Sequence, residues 1–453
     1  MTLFCHNEET IDNNYGGICL HNKKKVERTL LASGLLSKGK TLEDFLQVNK
    51  MAGKDESIFQ VLSRATDFLA RAGSKFYGTE QVKKYQEEFL LHTCRFEIIL
   101  GSPILTNAGR REEKSISACS IPSIALAKLN RKEISRIVSD YHIRGMGTGF
   151  CLDDLADPAE MIIYLNEISV REVQTGKIER SVGNMGVLSI DHPKIHSFIK
   201  IRINNPEIKE WKFNLSVKIT DNFMKAWINN TSCILKDGSK VDPNKLIDLI
   251  AQNAHATGDP GIIFMDRIND KNRLPQMGKY RAVVPCGEVS LFEGEICQFL
   301  YLNLPRFVVR KNIDLDRLRR AIHCAIVMLD NAVEANIEKM PNDFSSNIVS
   351  SLRRIGLGVC GVAELFQALG KPYDSDEARS MAENIMSVIQ FESKCASVDL
   401  AQKRGPFAAF THSKTKKDLF IDPFAIPTRF VSMEDWQRLK DQFDLHGIRN
   451  LST

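Results

Sequence analysis

The stretch that decides the fold is VVPCGEVSLFEGEICQFLYLNLP, residues 283–305. Cys286 stands between a proline and Gly-Glu, and Cys297 follows eleven residues later; neither belongs to a CxxC pair. Proline presets φ for a turn and glycine relaxes the chain on the other side, so Pro285-Cys286-Gly287 predicts a tight loop tip from which the thiol projects. Glu288 lies two residues beyond Cys286, and in locally extended backbone two such side chains share a face. A carboxylate beside a thiol raises its pKa and disfavours the thiolate. The pair therefore suits hydrogen-atom chemistry better than nucleophilic attack, which calls for a cation or a histidine at that place. Cys297 sits in a strand-like apolar run, and so does Cys119, upstream in SISACSIPSIAL (115–126). Two such strands could face each other across a barrel, and a facing pair of thiols delivers two electrons by closing a disulfide.

Outward from this stretch, the 453 residues predict two or three domains. A composition that is 43% hydrophobic and 26% charged belongs to a globular chain with a large core. Basic residues exceed acidic ones by 61 − 56 = 5, too weak an excess to predict a nucleic-acid partner. MTLFCHNEET shows no secretory signal, and no apolar run approaches the ~18 residues of a membrane span, so a cytoplasmic protein without membrane contact is expected. Eleven scattered cysteines then predict thiols, with any disulfide transient and catalytic. Cys324 and Cys360 lie in apolar contexts that suit small core residues.

Residues 1–90 read as a charged, helical N-terminal region, with helical spacing clear in DESIFQVLSRATDFLARAG (55–73). The texture changes over 91–453. Short apolar runs punctuated by Gly, Pro and Asn appear at SPILTNAGR (102–110), GMGTGFCLDDL (145–155), NMGVLSIDHP (184–193) and FNLSVKI (213–219). Helical segments at 244–258 and 315–336 separate some of them. Strands alternating with helices predict an α/β domain with mostly parallel strands. The tail from 420 onward reads as lacking a capped final helix.

Three further motifs carry less. Cys5, His6, Cys19 and His21 fit no zinc spacing, so no metal site is predicted. DYHIRG (140–145) matches the D-x-H-x-x-G of proteins whose histidine ligates cobalamin, but the accompanying downstream Ser-x-Leu and Gly-Gly are absent. His142 is therefore read as the end of a helix leading into a strand. GMGTGF lacks the spacing and lysine of a phosphate loop and signals only close backbone approach.

The segment VPCGEVSLFEGEICQFLYLNL resembles the NPCGE…C…NL finger loop and strand of ribonucleotide reductase large subunits. Supporting matches run in order: SPILTNAGR, SACSIP, GMGTGF, NMGVLSIDHPKI, NLSVKITDNFM, GDPGIIFMDRIN, RRIGLGVCGVAELFQALGKPYDSDEA and LAQKRGPFAAF. The resemblance covers roughly residues 90–450 and points to the adenosylcobalamin-dependent class. It implies an α/β barrel around a central finger loop, with a nucleotide substrate and adenosylcobalamin as cofactor. Cys286 would carry the thiyl radical and Glu288 would be the base for the 3′ hydroxyl. Cys119 and Cys297 would be the redox pair, re-reduced by an external dithiol. Ser102, Thr106, Asn107, Ala118, Gly147 and the position of Val284 would hold the substrate. The reading requires the three sulfurs to meet in one enclosed chamber.

Three features depart from the family pattern. Val284 replaces the asparagine before Pro-Cys, and valine neither donates nor accepts a hydrogen bond. The segment between GTGF and NMGVL is short, which implies loss of a dimer or effector surface. Relatives continue beyond HGIRN into a Pro-Thr-Gly-Thr phosphate-binding segment and the last barrel strands. A barrel lacking its C-terminal strands predicts exposed sheet edges and a complementing C-terminal chain. The alternatives are a diverged, non-catalytic nucleotide-binding or assembly protein, or a radical enzyme acting on another sugar.

Overall fold

The computed structural model describes residues 39–111, 114–178, 181–412 and 425–452, together with 19, 22–24 and 27–28. The chain divides into two compact units. One comprises Met1–Ser117, Gln298–Lys339 and Val349–Thr453; the second comprises Ala118–Cys297 and Met340–Ile348.

The second unit is built on a six-stranded sheet. In spatial order its strands are Ile296–Cys297, Cys119–Ser120, Gly147–Cys151, Asn184–Ser189, Phe213–Ile219 and Gly261–Phe264. The last five run parallel, and Ile296–Cys297 lies antiparallel to its neighbour. The expected mixed α/β architecture with mostly parallel strands is what forms. Every residue of Asn184–Ser189 is buried, as a parallel strand covered on both faces must be. Helices Arg131–Ile143, Pro158–Gln174 and Pro243–Thr257 contribute Val138, Ile162, Leu165 and Ile250 to one core cluster with Phe150, Phe213 and Val217 of the strands. Burying each such side chain stabilises by about 1.5–3 kcal/mol. Helix starts are written locally: Asn130 and Glu133 form a capping box, and Asp157 caps a helix whose first turn holds Pro158.

The first unit has a three-stranded sheet. Ile98–Leu100 is antiparallel to Phe299–Asn303, which is parallel to Gly356–Cys360. Helix Leu315–Ile337 packs against helices Ile58–Ala72 and Asp376–Arg404. Cys324 is buried in that helix, whereas Cys360 is half-buried on its strand. Fully buried Asp330 bonds Arg353 Nε at 2.9 Å and Arg404 Nη1 at 2.6 Å, with Arg449 Nε at 3.4 Å. Burial works against its charge, but Arg353, Arg449 and Arg404 override it and hold the Asp330 pKa down at about 2.

Two local expectations are corrected. SPILTNAGR, grouped with the short apolar runs, forms helix Ser102–Asn107, because Pro103 sits in the first turn where its missing N–H costs nothing. The tail does contain a capped helix, Met433–His446, whose start is a capping box between Ser432 and Asp435. Among the described residues no helix is long and apolar enough to cross a membrane.

Candidate active site

The Pro-Cys-Gly tip crowns a short hairpin in which Ala282–Val283 pairs antiparallel with Ser290–Leu291. The Gly287 N–H donates to the Val284 carbonyl at 2.9 Å, and the Val284 N–H donates to the Val289 carbonyl at 3.1 Å. Gly287 takes φ +78°, the left-handed conformation that glycine adopts without strain. The predicted tight turn is therefore present. Cys286, Gly287 and Glu288 are exposed at the tip, which corrects the expectation of one enclosed chamber: among the described residues nothing closes over this thiol. Partial desolvation first, and the charge of Glu288 second, push the Cys286 thiol above its ordinary pKa. Val284 is fully buried at the base of the tip.

Cys297 and Cys119 lie directly opposite each other in the antiparallel ladder. Facing Cα atoms in such a ladder are about 4.5–5.5 Å apart, inside the roughly 4.4–6.8 Å that a disulfide spans. Both residues are thiols here; Cys297 is buried and Cys119 half-buried. Glu288 Oε1 stands 4.0 Å from Cys297 Sγ. Gly147 links the tip to the pair: a Cβ added there would lie 3.2 Å from Pro285 Cγ and 3.5 Å from Cys119 Sγ. The carboxylate, the dithiol and the root of the tip are thus drawn together on one side of the sheet.

The glycines of GMGTGF explain how the hairpin gets so close. A Cβ on Gly149 would collide with the Val283 carbonyl oxygen and come within 2.5 Å of Ile121 Cδ1. This is the close backbone approach the motif signals. His142, rejected as a ligand, is a buried histidine with both ring nitrogens engaged. Its Nδ1 is 2.6 Å from Glu172 Oε2 and its Nε2 is 3.0 Å from Asn184 Oδ1. It ends helix Arg131–Ile143 just before strand Gly147–Cys151, as read. Of the N-terminal cysteine–histidine group, Cys5, His6 and His21 lie outside the described residues, and Cys19 is buried.

The remaining substrate-binding expectations fall in both units. In the second, the Ala118 N–H donates to the Cys297 carbonyl at 3.3 Å, and the Gly147 N–H donates to the Ala118 carbonyl at 2.8 Å. In the first, Thr106 Oγ1 donates to the Ser102 carbonyl at 2.8 Å, and Asn107 Nδ2 donates to the Ser115 carbonyl at 2.7 Å. Asn107 Oδ1 is buried with no partner among the described residues.

Sequence reasoning missed two residues that touch the hairpin. Asn214 Nδ2 donates to the Pro285 carbonyl at 2.8 Å, and Lys218 Nζ donates to the Arg281 carbonyl at 3.2 Å. Their signal was present: Asn214, Ser216 and Lys218 place polar side chains at period two in a strand otherwise apolar. Beside the hairpin lies a cavity of about 680 Å³, with Phe150, Leu291 and Phe344 in its walls and Lys128, Asp154 and Arg281 among its lining.

The second unit thus combines a mostly parallel sheet, a cysteine-tipped hairpin and two cysteines that face each other on neighbouring strands. A model of the ribonucleotide reductase barrel domain matches residues 156–453, and the chain belongs to that family. The vitamin B12-dependent ribonucleoside-diphosphate reductase of Mycobacterium tuberculosis is 31% identical over 392 residues, covering 82% of this chain and 56% of the relative. That of Thermoplasma acidophilum is 30% identical over 413 residues, covering 84% and 52%. The vitamin B12-dependent ribonucleotide reductase of Streptomyces avermitilis is 22% identical over 471 residues, covering 88% and 47%. The chain spans about half the length of the curated relatives it matches.

Proposed function

We propose that the chain carries the thiol machinery of an adenosylcobalamin-dependent ribonucleotide reductase. It converts ribonucleoside di- or triphosphates to 2′-deoxyribonucleotides for DNA synthesis in the cytoplasm. The observation that carries this reading is the in-register facing of Cys119 and Cys297, with Glu288 4.0 Å from the Cys297 sulfur at the foot of the Pro-Cys-Gly tip. Residues 91–453 form the catalytic domain in this proposal, preceded by an N-terminal region over 1–90.

Bound adenosylcobalamin would supply the initiating radical by cleavage of its carbon–cobalt bond. In this proposal the residues nearest to hand for it line the cavity beside the hairpin: Phe150, Leu291 and Phe344 would meet apolar parts of the cofactor and Lys128 a polar one, while Asp154 and Arg281 are paired with each other. Cys286 starts as a neutral thiol, kept so by its raised pKa, and acts as a thiyl that takes the 3′ hydrogen of the ribose. Glu288 accepts the proton of the 3′ hydroxyl. Cys119 and Cys297 together give two protons and two electrons. The C2′–O bond breaks, the oxygen leaves as water, and a disulfide closes between them. Cys286 then returns the hydrogen to C3′, Glu288 returns the proton to the 3′ oxygen, and an external dithiol reopens the disulfide. Ala118 and Gly147 of the second unit hold the substrate, and Val284, unable to hydrogen-bond, shifts substrate choice.

In this proposal a complementing C-terminal chain docks on a free sheet edge of the second unit. Gly261–Phe264 is a sheet edge with no outer partner among the described strands, and Ile262 and Phe264 are about half exposed on it. Such an edge is a docking surface for an added strand. The test combines the chain, adenosylcobalamin, dithiothreitol and the C-terminal segment of a relative. Deoxyribonucleotide should form and should vanish with Cys286→Ala. No product from any nucleoside di- or triphosphate overturns the proposal.

A further inference from the structure

We infer that Asn214 and Lys218 form a two-point clamp that positions the hairpin carrying Cys286; the inference rests on the function proposed above. Both residues lie on strand Phe213–Ile219, four positions apart and on one face. Their acceptors, the carbonyls of Pro285 and Arg281, are also four positions apart. The ascending arm of the hairpin is therefore fastened to the strand at two points. The glycines at 147, 149 and 183 have cleared side chains from beneath this arm, leaving Val283 and Pro285 close against the sheet.

The two ends differ in character. Lys218 is the fixed end. It is buried, with Nζ 2.5 Å from Asp153 Oδ2 and 3.3 Å from Cys151 Sγ, and Asp153 Oδ1 in turn accepts the Ser189 N–H at 2.9 Å. Asn214 is the one exposed residue of an otherwise buried strand, and it holds the carbonyl immediately before Cys286. Its amide thus sets the position of the residue next to the radical-bearing thiol. It acts through the Pro285 carbonyl, as a positioning residue.

The test is Asn214→Leu in the full chain, a neutral substitution of similar size that removes the side-chain amide, repeated with Asn214→Ala. The melting temperature should be unchanged. Amide exchange at Val284 and Gly287 should quicken by on the order of fivefold, as loss of one net hydrogen bond allows. Alkylation of Cys286 by a neutral reagent should quicken too. In the complemented enzyme kcat should fall with KM for the nucleotide unchanged, and the unchanged melting temperature separates this from a loss of folded enzyme. Unchanged exchange and alkylation in both variants overturn the clamp, whether or not the enzyme turns over. Faster exchange in a protein that makes no deoxyribonucleotide supports the clamp and overturns the catalytic reading instead.

Discussion

Gly149→Ala is the substitution on which the placement of the hairpin can be judged by sign alone. Gly149 is absent from the positive-φ residues, so alanine can adopt its backbone without strain. On chain entropy the change would then stabilise the protein by about 0.4–1 kcal/mol. The hairpin reverses this. The new Cβ would stand 2.5 Å from Ile121 Cδ1 and 3.1 Å from the Val283 carbonyl carbon, with the Val283 oxygen nearer still. Carbon atoms rest at about 3.5–4.0 Å, so a shift on the order of 1 Å is required. The Ile121 methyl can rotate away, but the Val283 carbonyl belongs to the ladder that carries the tip. Overpacking of this kind costs about 1–3 kcal/mol. Urea unfolding of the chain should show a lower midpoint. Turnover of the complemented enzyme should drop by about a hundredfold, the cost of misplacing a reacting group by ~1 Å. A variant as stable as the parent or more so, with hairpin amide exchange unaltered, would refute the close approach.

Other outcomes follow from the same geometry. Mild oxidation with diamide should join Cys119 to Cys297, seen as a linked peptide pair by mass spectrometry, and either serine substitution should remove it. Asp330→Asn leaves three guanidiniums without their carboxylate and should cost about 3–5 kcal/mol in chemical denaturation. The Asp330 pKa lies at about 2 against an ordinary 3.8, so its contribution is complete above pH 3.8 and is lost as the pH falls through 2. That loss is on the order of 2 kcal/mol, and a stability profile flat across this window contradicts it. Glu288→Gln removes the second of the two causes that raise the Cys286 pKa, so alkylation of Cys286 at pH 8 should quicken; an equal or slower rate counts against the contact.

Much of the hairpin was legible because its signals are local. Proline, cysteine and glycine in succession specify a turn, and the glycines of GMGTGF announce that another backbone comes near. Helices such as Ile58–Ala72 and Leu315–Ile337 were readable from apolar spacing. The strand-like contexts of Cys119 and Cys297 suggested a facing pair able to close a disulfide, but across a barrel, whereas they lie on neighbouring antiparallel strands; only the resemblance tied the pair to a ribose substrate. What stayed hidden is equally physical. SPILTNAGR is apolar enough for a strand, and Pro103 decides it as a helix start. Asp330 and its arginines at 353, 404 and 449 come from separate elements, so no window of sequence contains the cluster. The anchoring of Pro285 by Asn214 likewise joins a strand to a distant loop.

The central claim is that the facing thiols are the electron source for reduction of the ribose, and a single turnover without external reductant tests it most directly. The fully reduced chain, complemented with the C-terminal segment of a relative and given adenosylcobalamin and a nucleotide, should make at most one deoxyribonucleotide per chain. Peptide mapping should then find a disulfide between Cys119 and Cys297 in equal amount. Product formed while both thiols remain reduced, or a disulfide involving other cysteines, would contradict the account.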